Sequence, residues 1–367
     1  MLINLKKIIQ IVPQLPPAIN GLGDYALNLA RQLYQDLNIN TEFIIGDPTW
    51  SGNSKIEQFP VFSVASQSTT ALLSLLNNHH SLILLHYVGY GYAKRGCPWW
   101  LIEALEAHQH IKKPKQLLIT MFHEVYASGQ PWTSAFWLSP FQKNLATRLV
   151  KISSHCLTSS QVLADIIKGL EPHKKTSITT LPIFSNIGEP KDLPPLSSRS
   201  RRLVIFGTPG VRLRAYQNCL DGLTNICQAL RIQEIYDIGQ PIHLKISQIN
   251  GIPVTKTGVI QSDQISQIFL DSIAGFLDYP PYLLAKSTIF AAYCAHHLIP
   301  ILNPTVAIPS QDGLKSNEHY WQVDDHQMQL NWELGQTIAS QAHCWYQTHS
   351  LSIQAGIFAQ YAQQNLC

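Results

Sequence analysis

The stretch Pro13-Gln-Leu-Pro-Pro-Ala-Ile-Asn-Gly-Leu-Gly-Asp-Tyr-Ala-Leu-Asn-Leu-Ala-Arg31 decides how the rest of the chain is read. Before it stands Ile8-Ile-Gln-Ile-Val12, whose branched residues predict a strand buried in a sheet. After a proline-rich turn come Gly21-Leu-Gly23 and a helix, in which Leu22, Ala26, Leu29, Ala30 and Leu33 share one face. Glycines at a strand-to-helix junction let the backbone approach a ligand, and a helix start offers free N–H groups to an anion. Gly21 and Gly23 are therefore candidates for contact with a phosphate-bearing or sugar-bearing ligand. The alternative is a surface turn that only requires positive φ.

By letter, Gly21-x-Gly23-x-x-Ala26 matches the dinucleotide-binding fingerprint, with Asp47 closing the next strand at a suitable distance. The spacing argues against it. In that fold the first glycine sits in the tight turn at the strand's end, whereas eight residues, three of them proline, separate Val12 from Gly21 here. The segment Pro17-Ala-Ile-Asn-Gly-Leu-Gly-Asp-Tyr-Ala-Leu-Asn-Leu-Ala-Arg-Gln-Leu33 instead resembles the first loop and helix of GT-B glycosyltransferases of the family 4 type.

Composition sets the outer bounds. A chain of 367 residues predicts two domains, and 45% hydrophobic with 13% charged residues predicts a globular protein with an ample core. A formal charge of +3 from scattered basic residues does not predict nucleic-acid binding. Seven dispersed cysteines without Cys-x-x-Cys read as reduced thiols of a cytoplasmic protein, not a disulfide framework or zinc site. The adjacent pairs His79-His80 and His296-His297 point different ways and do not predict a metal site. Met1 to Val12 lacks the apolar core and cleavage site of a signal peptide, and no run reaches the length of a membrane span. Peripheral contact with a membrane stays open.

Along the chain, strand and helix signals alternate. Strands are expected at 41–47, 59–64, 81–87, 116–123 and 155–159, with helices at 69–78, 99–108, 141–149 and 160–169. A glycine-rich loop, 88–98, follows the third of these strands, and a long aromatic and serine-rich loop reaches Pro140. Residues 191–202, rich in proline, serine and charge, read as an interdomain linker between a first domain, 1–190, and a second, 203–333. The rhythm then restarts: strands at 203–207, 242–247, 254–260, 273–279 and 298–302, helices at 215–230, 262–271 and 286–296. Residues 334–367 are expected to be a C-terminal helix. Such alternation predicts an α/β protein of two doubly wound parallel-sheet, Rossmann-like domains.

That plan, with two domains facing across a cleft and a terminal helix crossing back to the first, resembles GT-B. Met121-Phe-His-Glu-Val-Tyr-Ala-Ser-Gly129, Cys156-Leu-Thr-Ser-Ser160 and Gly258-Val-Ile-Gln-Ser-Asp-Gln-Ile-Ser266 are similar to family 4 segments and follow in the family's order. The resemblance implies a metal-independent, cofactor-free hexosyltransferase using a nucleotide-sugar donor, with retention at the anomeric carbon and a carbohydrate or lipid-linked acceptor.

Ligands of open parallel sheets bind beyond the carboxyl ends of the strands. Breaking a donor's glycosidic bond leaves negative charge on a diphosphate, which fixed cations stabilise. Gly207-Thr-Pro-Gly-Val-Arg-Leu-Arg214 sets Arg212 and Arg214 after a strand, and arginine can clamp phosphate with two N–H groups. Lys286-Ser287 is expected to open a helix, where ammonium and helix start reinforce each other. Both features resemble the cations that family 4 enzymes aim at the diphosphate. The alternative makes the arginines solvated surface charges, and the sequence does not choose between the two.

His123 would meet the donor sugar or the reacting hydroxyl, with Glu124 orienting its imidazole; a satisfied core histidine is the plainer reading. His86, Tyr90 and Tyr92 would form the acceptor side, since aromatic faces suit sugar rings, or would simply pack. One departure from the family stands out. Its Glu-x7-Glu pair is missing, because no glutamate occurs between Glu234 and Glu318, and Asp278 is the nearest carboxylate available as a substitute. A non-catalytic sugar-nucleotide binder of the same fold and a nicotinamide-dependent oxidoreductase are therefore the competing readings.

Overall fold

The computed structural model describes residues 7–18, 20–76, 82–111, 117–173, 178–304, 306, 308–323 and 330–364. His79, His80, Ser81, Gln116 and Cys367 lie outside the described residues. The chain divides into two compact units, Met1–Pro182 with Leu351–Cys367, and Ile183–Ser350.

In the first unit, strand and helix follow one another as β1 (Lys7–Val12), α1 (Gly21–Leu37), β2 (Asn40–Ile45), β3 (Lys55–Ile56), β4 (Phe59–Ser63), α2 (Thr69–Leu76), β5 (Leu82–Tyr87), α3 (Gly89–Tyr92), α4 (Trp99–Ile111), β6 (Leu118–Phe122), α5 (Ser134–Ile152), β7 (His155–Thr158), α6 (Gln161–Leu170) and β8 (Ile178–Thr180). Among the described residues the sheet order is β3-β4-β2-β1-β5-β6-β7-β8, parallel except for the β3–β4 hairpin. β1 therefore has β2 on one side and β5 on the other, which makes the β1/β5 edge the point where the strand order reverses. The sheet is buried on both faces. Val12, Leu15, Ala26, Ala30 and Phe43 pack on one, and Ile9, Ile11, Leu72, Leu101 and Ile167 on the other.

The second unit repeats the scheme with β9 (Ser200–Phe206), α7 (Pro209–Asn218), α8 (Leu220–Ala229), β10 (Glu234–Ile238), β11 (Gln248–Ile249), β12 (Ile252–Gly258), α9 (Ser262–Leu270), β13 (Ser272–Asp278), α10 (Thr288–Ala295), β14 (Ile299–Asn303), β15 (Trp321–Gln322) and α11 (Trp332–Gln347). Its order among the described residues is β11-β12-β10-β9-β13-β14-β15, and the reversal falls between β9 and β13. The last helix, α12 (Leu351–Gln364), belongs to the first unit, while α11 stays with the second.

Several sequence expectations need correction. The stretch 191–202 lies inside the second unit: β9 starts at Ser200, and buried Arg199 donates to the carbonyls of Pro194, Ser272 and His296. Pro140 does not end a loop. It sits within α5, which starts at Ser134 behind the Thr133 cap; as the seventh helical residue it cannot donate to the Phe136 carbonyl, and the helix continues past that one missing bond. The expected strand at 242–247 is a loop whose alternating Ile242, Leu244 and Ile246 pack on the core without joining a ladder; the strand is β10, before it. The helix expected at 215–230 is two, broken at Cys219, whose φ of −144° and ψ of 34° are not helical. Lys286 does not open a helix but closes a 3₁₀ turn, Pro281–Lys286, and Ser287 caps α10.

Candidate functional site

In the first unit the sequence-predicted residues gather at the β1/β5 reversal. Asn20 caps α1, its side-chain oxygen accepting from the Gly23 amide at 2.6 Å. Gly23 is required by close packing, not by its dihedrals: a Cβ there would stand 2.7 Å from the Gln14 carbonyl oxygen and 3.2 Å from the Leu15 Cα. Neither Gly21 nor Gly23 has positive φ, so the surface-turn alternative in that form fails. Asp24 puts a carboxyl in the first turn of the same helix; burial raises its pKa and Arg31 partly offsets the rise. Asp47 is engaged by its own turn, accepting from the Thr49 amide at 2.8 Å and from Gln14 at 2.6 Å. Burial pushes its pKa up, and the hydrogen bonds from Thr49 and Gln14 outweigh this and hold it below the ordinary value.

Behind this junction lies a buried polar row. Gln10, in the middle of β1, presents Oε1 to His86 Nε2 at 2.8 Å, and His86 Nδ1 stands 3.1 Å from His123 Nε2. With the Gln10 oxygen facing it, His86 Nε2 carries the proton and donates, so His86 Nδ1 accepts from His123 Nε2–H. The two imidazoles stack with centroids 5.4 Å apart, and the Tyr25 ring meets both edge-on at 5.6 and 5.2 Å. Tyr25 donates to Gln354 on α12 at 3.0 Å, and Gln354 donates to the Pro182 carbonyl. Burial, and secondarily the neighbouring His123, hold the His86 imidazole well below its usual pKa, which keeps it neutral at pH 7. The His123 amide is tied to the Tyr87 carbonyl, which fixes it just past the end of β6.

The structure thus joins His86 to His123 and separates them from other expected residues. His86 is fully buried and His123 is 8% exposed. Tyr92 is also buried, donating to the carbonyls of Ile11 and His86 at 3.0 Å each; it packs and presents no face to an acceptor. Tyr90 is exposed and its hydroxyl accepts from Gln142. Glu124 is exposed, while the imidazole of His123 is met by His86. Gln10, Tyr25 and Gln354 were not singled out in the sequence. A polar Gln10 inside Ile8–Val12 and a tyrosine two residues after Gly23 were the available signals.

In the second unit the corresponding reversal brings together the ends of β9 and β13. Gly239, after β10, has a φ of 143°, and a Cβ on it would lie 2.5 Å from the Gly207 carbonyl oxygen and 3.0 Å from the Arg212 guanidinium. Arg212 is buried in this turn, bonded to the carbonyls of Gly207 and Gln240 and ion-paired with Asp237, which also accepts from Tyr216 at 2.9 Å. Each of its three nitrogens is bonded within the fold and the side chain is buried, which overturns the reading of Arg212 as a solvated surface charge. Burial first, and then the Asp237 charge, push the Tyr216 hydroxyl above its ordinary pKa.

Arg214, two residues further along α7 and so on its other side, is arranged differently. Its side chain is 43% exposed, and its Nε donates to Asp278 Oδ1 at 2.8 Å. Asp278 is fully buried at the end of β13, and its other oxygen accepts from Asn303 at 2.8 Å. The carboxylate is thereby fixed between two partners and orients a half-exposed guanidinium at the strand ends. Ser287 Oγ accepts from the Phe290 amide at 3.2 Å, capping α10, and Lys286 is half-buried immediately before it. Among the described residues no cluster of three His, Cys, Asp or Glu could hold a metal ion, and no helix is long and apolar enough to cross a membrane.

Solved structures resemble this chain over nearly its full length. The chain is similar to TarM at 9% identity, with a TM-score of 0.64 over 98% of this chain and 99% of that one. HepE from Anabaena, solved with UDP and glucose, is 10% identical with a TM-score of 0.61 over 97% and 99% of the two chains. An alpha-glucosyltransferase solved with UDP and a 13-mer DNA containing a HMU base is 10% identical with a TM-score of 0.59 over 98% and 99%. No protein-family model and no curated protein matches the sequence. Identities this low speak for architecture, and with two doubly wound sheets, each reversing beside its first strand, the architecture is the GT-B glycosyltransferase fold.

Proposed function

We propose that this protein is a glycosyltransferase that moves a hexose from a UDP-sugar to a carbohydrate or lipid-linked acceptor. The observation that carries the proposal is the Asp278–Arg214 pair. A buried carboxylate, itself held by Asn303, fixes a half-exposed guanidinium at the end of β13, and Lys286 and the capped start of α10 follow β13 in the chain. Such groups suit a diphosphate, which accepts bidentate bonds from arginine and is favoured at a helix N-terminus. UDP is the donor nucleotide favoured because two of the similar structures named above hold it. Arg214, not Arg212, is the arginine assigned to the donor, together with Lys286, Asp278 and Ser287.

In the reaction the bond between the anomeric carbon and the diphosphate oxygen breaks and its electron pair leaves with UDP. The acceptor hydroxyl bonds to the same carbon, and its proton departs with the released diphosphate. Cations beside the leaving oxygens supply the main stabilisation, and retention is the outcome expected from the family resemblance. Within the first unit, His123 is the group offered to a sugar hydroxyl, with Gly21 and Gly23 shaping the loop around it. The test is turnover: incubation with UDP-, GDP- and ADP-sugars, with hydrolysis and transfer both measured. UDP-sugar turnover supports the proposal. Tight UDP binding by calorimetry without turnover of any donor supports instead a non-catalytic binder, the reading favoured by the absence of glutamate between Glu234 and Glu318. Tight NAD binding without UDP binding would sink both.

A further inference from the structure

α5 carries its apolar residues on two sides. At about 100° per residue, its buried Gln142, Leu145, Ala146, Leu149 and Val150 form one arc. Phe136, Trp137, Pro140 and Phe141 fall on the arc opposite, toward solvent. Trp137 is 68% exposed, Phe141 54% and Phe136 42%, and Trp132, just before the cap, is 81% exposed. A surface helix of a globular protein places polar residues on that arc, and a run of exposed aromatics needs a reason.

Within the two stretches that carry the patch the charges are of one sign, with exposed Glu124 and Glu103 just outside them. From Val125 to Leu145 the chain has no Asp or Glu, and from Val88 to Ile102 it has none either. The second stretch is tied to the first, because Gln142 Nε2 donates to the Arg95 carbonyl at 3.0 Å and to the Tyr90 hydroxyl at 3.2 Å. Lys143 is exposed on α5 itself, and Lys94 and Arg95 are exposed on the loop that Gln142 ties to the same end of the helix. On the neighbouring α4, Glu106 is paired with Arg148 and Glu103 accepts from Thr69.

We propose that the solvent face of the first turns of α5, Trp132 to Phe141, together with Lys143 and the Lys94–Arg95 loop tied to the same helix end, docks on an anionic lipid bilayer. Tryptophan and phenylalanine enter the boundary between headgroup and acyl chain, where an indole keeps its N–H in the wet layer. These cations meet anionic headgroups, and within the two stretches no carboxylate opposes them. α5 starts at the carboxyl end of β6, the end that carries His123, so docking brings that end of the first unit to the membrane. A lipid-linked acceptor would then be the substrate class; this corollary rests on the glycosyltransferase reading, whereas the docking itself does not.

The experiment is co-sedimentation of the full chain with vesicles of phosphatidylcholine alone, or with about 30% phosphatidylglycerol to mimic a negative leaflet. Binding to the anionic vesicles, weakened at high salt, is expected. Trp132→Ser with Trp137→Ser should lower it by roughly tenfold or more, the scale of two partly buried indoles. Lys94→Glu, Arg95→Glu and Lys143→Glu together should lower it by on the order of a hundredfold. These residues are exposed, so an unchanged melting temperature is expected and is measured alongside. No binding of the native chain to anionic vesicles overturns the proposal, as does equal binding by the double tryptophan variant. A dimer in sedimentation velocity that the same variant makes monomeric also overturns it, because the occupant is then a second copy. Each readout is independent of donor turnover, so failure here leaves the enzymatic reading untouched.

Discussion

His86 Nδ1 stands 3.1 Å from His123 Nε2, and the far nitrogen of His86 is held by Gln10. One amide in the middle of a buried strand thus sets the proton position on two imidazoles. Gln10→Leu should leave the His86 Nε2–H without an acceptor and cost about 1–3 kcal/mol of stability. Thermal unfolding would read this as a fall of several degrees. Nitrogen-15 shifts of the His123 ring should also change, since its tautomer is no longer specified. An unchanged spectrum would mean that Gln10 does not control the row.

The two arginines of α7 should behave oppositely. Arg212→Met strands the buried Asp237 carboxylate and should destabilise the fold by about 3–5 kcal/mol. Adding Asp237→Leu should recover part of that loss. Arg214→Ala leaves the buried Asp278 carboxylate with its Asn303 bond and should cost less than Arg212→Met. If Arg214 clamps the donor, the same change should weaken UDP binding while leaving uridine binding nearly intact. Similar stability losses for the two variants would refute the distinction.

Lys286→Ala should weaken UDP binding by roughly 1.5–3 kcal/mol, the scale of a charge-assisted hydrogen bond. Rising salt should erode UDP binding more in the native protein than in the variant, since screening acts only where the charge pair exists. Calorimetry over a salt series with UDP and uridine reads both. Equal loss of UDP and uridine affinity would make Lys286 a wall of the pocket, and no loss of either would remove it from the donor site.

Stability should fall as the medium is acidified. Burial lowers the pKa of His296 to about 4, with the Ala292 carbonyl opposing and the Arg199 charge adding to the effect. Burial likewise lowers His349 to about 4, against the Trp345 carbonyl. Both are neutral in the fold, while the unfolded chain protonates them near pH 6.5. The sign follows: the unfolded state takes up more protons between about pH 6.5 and 4, so each histidine costs up to roughly 1.4 kcal/mol per pH unit below 6.5. Melting temperatures at descending pH should drop through this window, and His296→Gln should make the descent shallower. A flat profile from neutrality to pH 5 would contradict it.

The sequence was most informative where chemistry is local. Gly21-Leu-Gly23 and the helix face after it were legible because a strand, a turn and a helix follow one another within Lys7–Leu37. Strand ends such as His86, His123 and Asp278 were legible because apolar runs stop there. The row behind them was not. Gln10 and His86 are 76 residues apart, and Tyr25 and Gln354 are 329 apart, so no local pattern links them. Arg212 and Arg214 were indistinguishable as letters, and only burial beside Asp237 or exposure beside Asp278 separates them. Pro140 misled because a proline was read as a boundary, although α5 runs through it at the cost of one backbone bond.

The return of α12 to the first unit has a consequence for biosynthesis. The ribosome emits β1 to β8, then the entire second unit, and only afterwards the helix that carries Gln354. At about 5–20 residues per second, Tyr25 and the α1 surface beneath α12 wait on the order of ten seconds or more for their cover. The second unit, contiguous in the chain, has no such delay and can close first. A nascent first unit with an open flank is a natural client for a chaperone, and that flank is closed only when the last helix has been made.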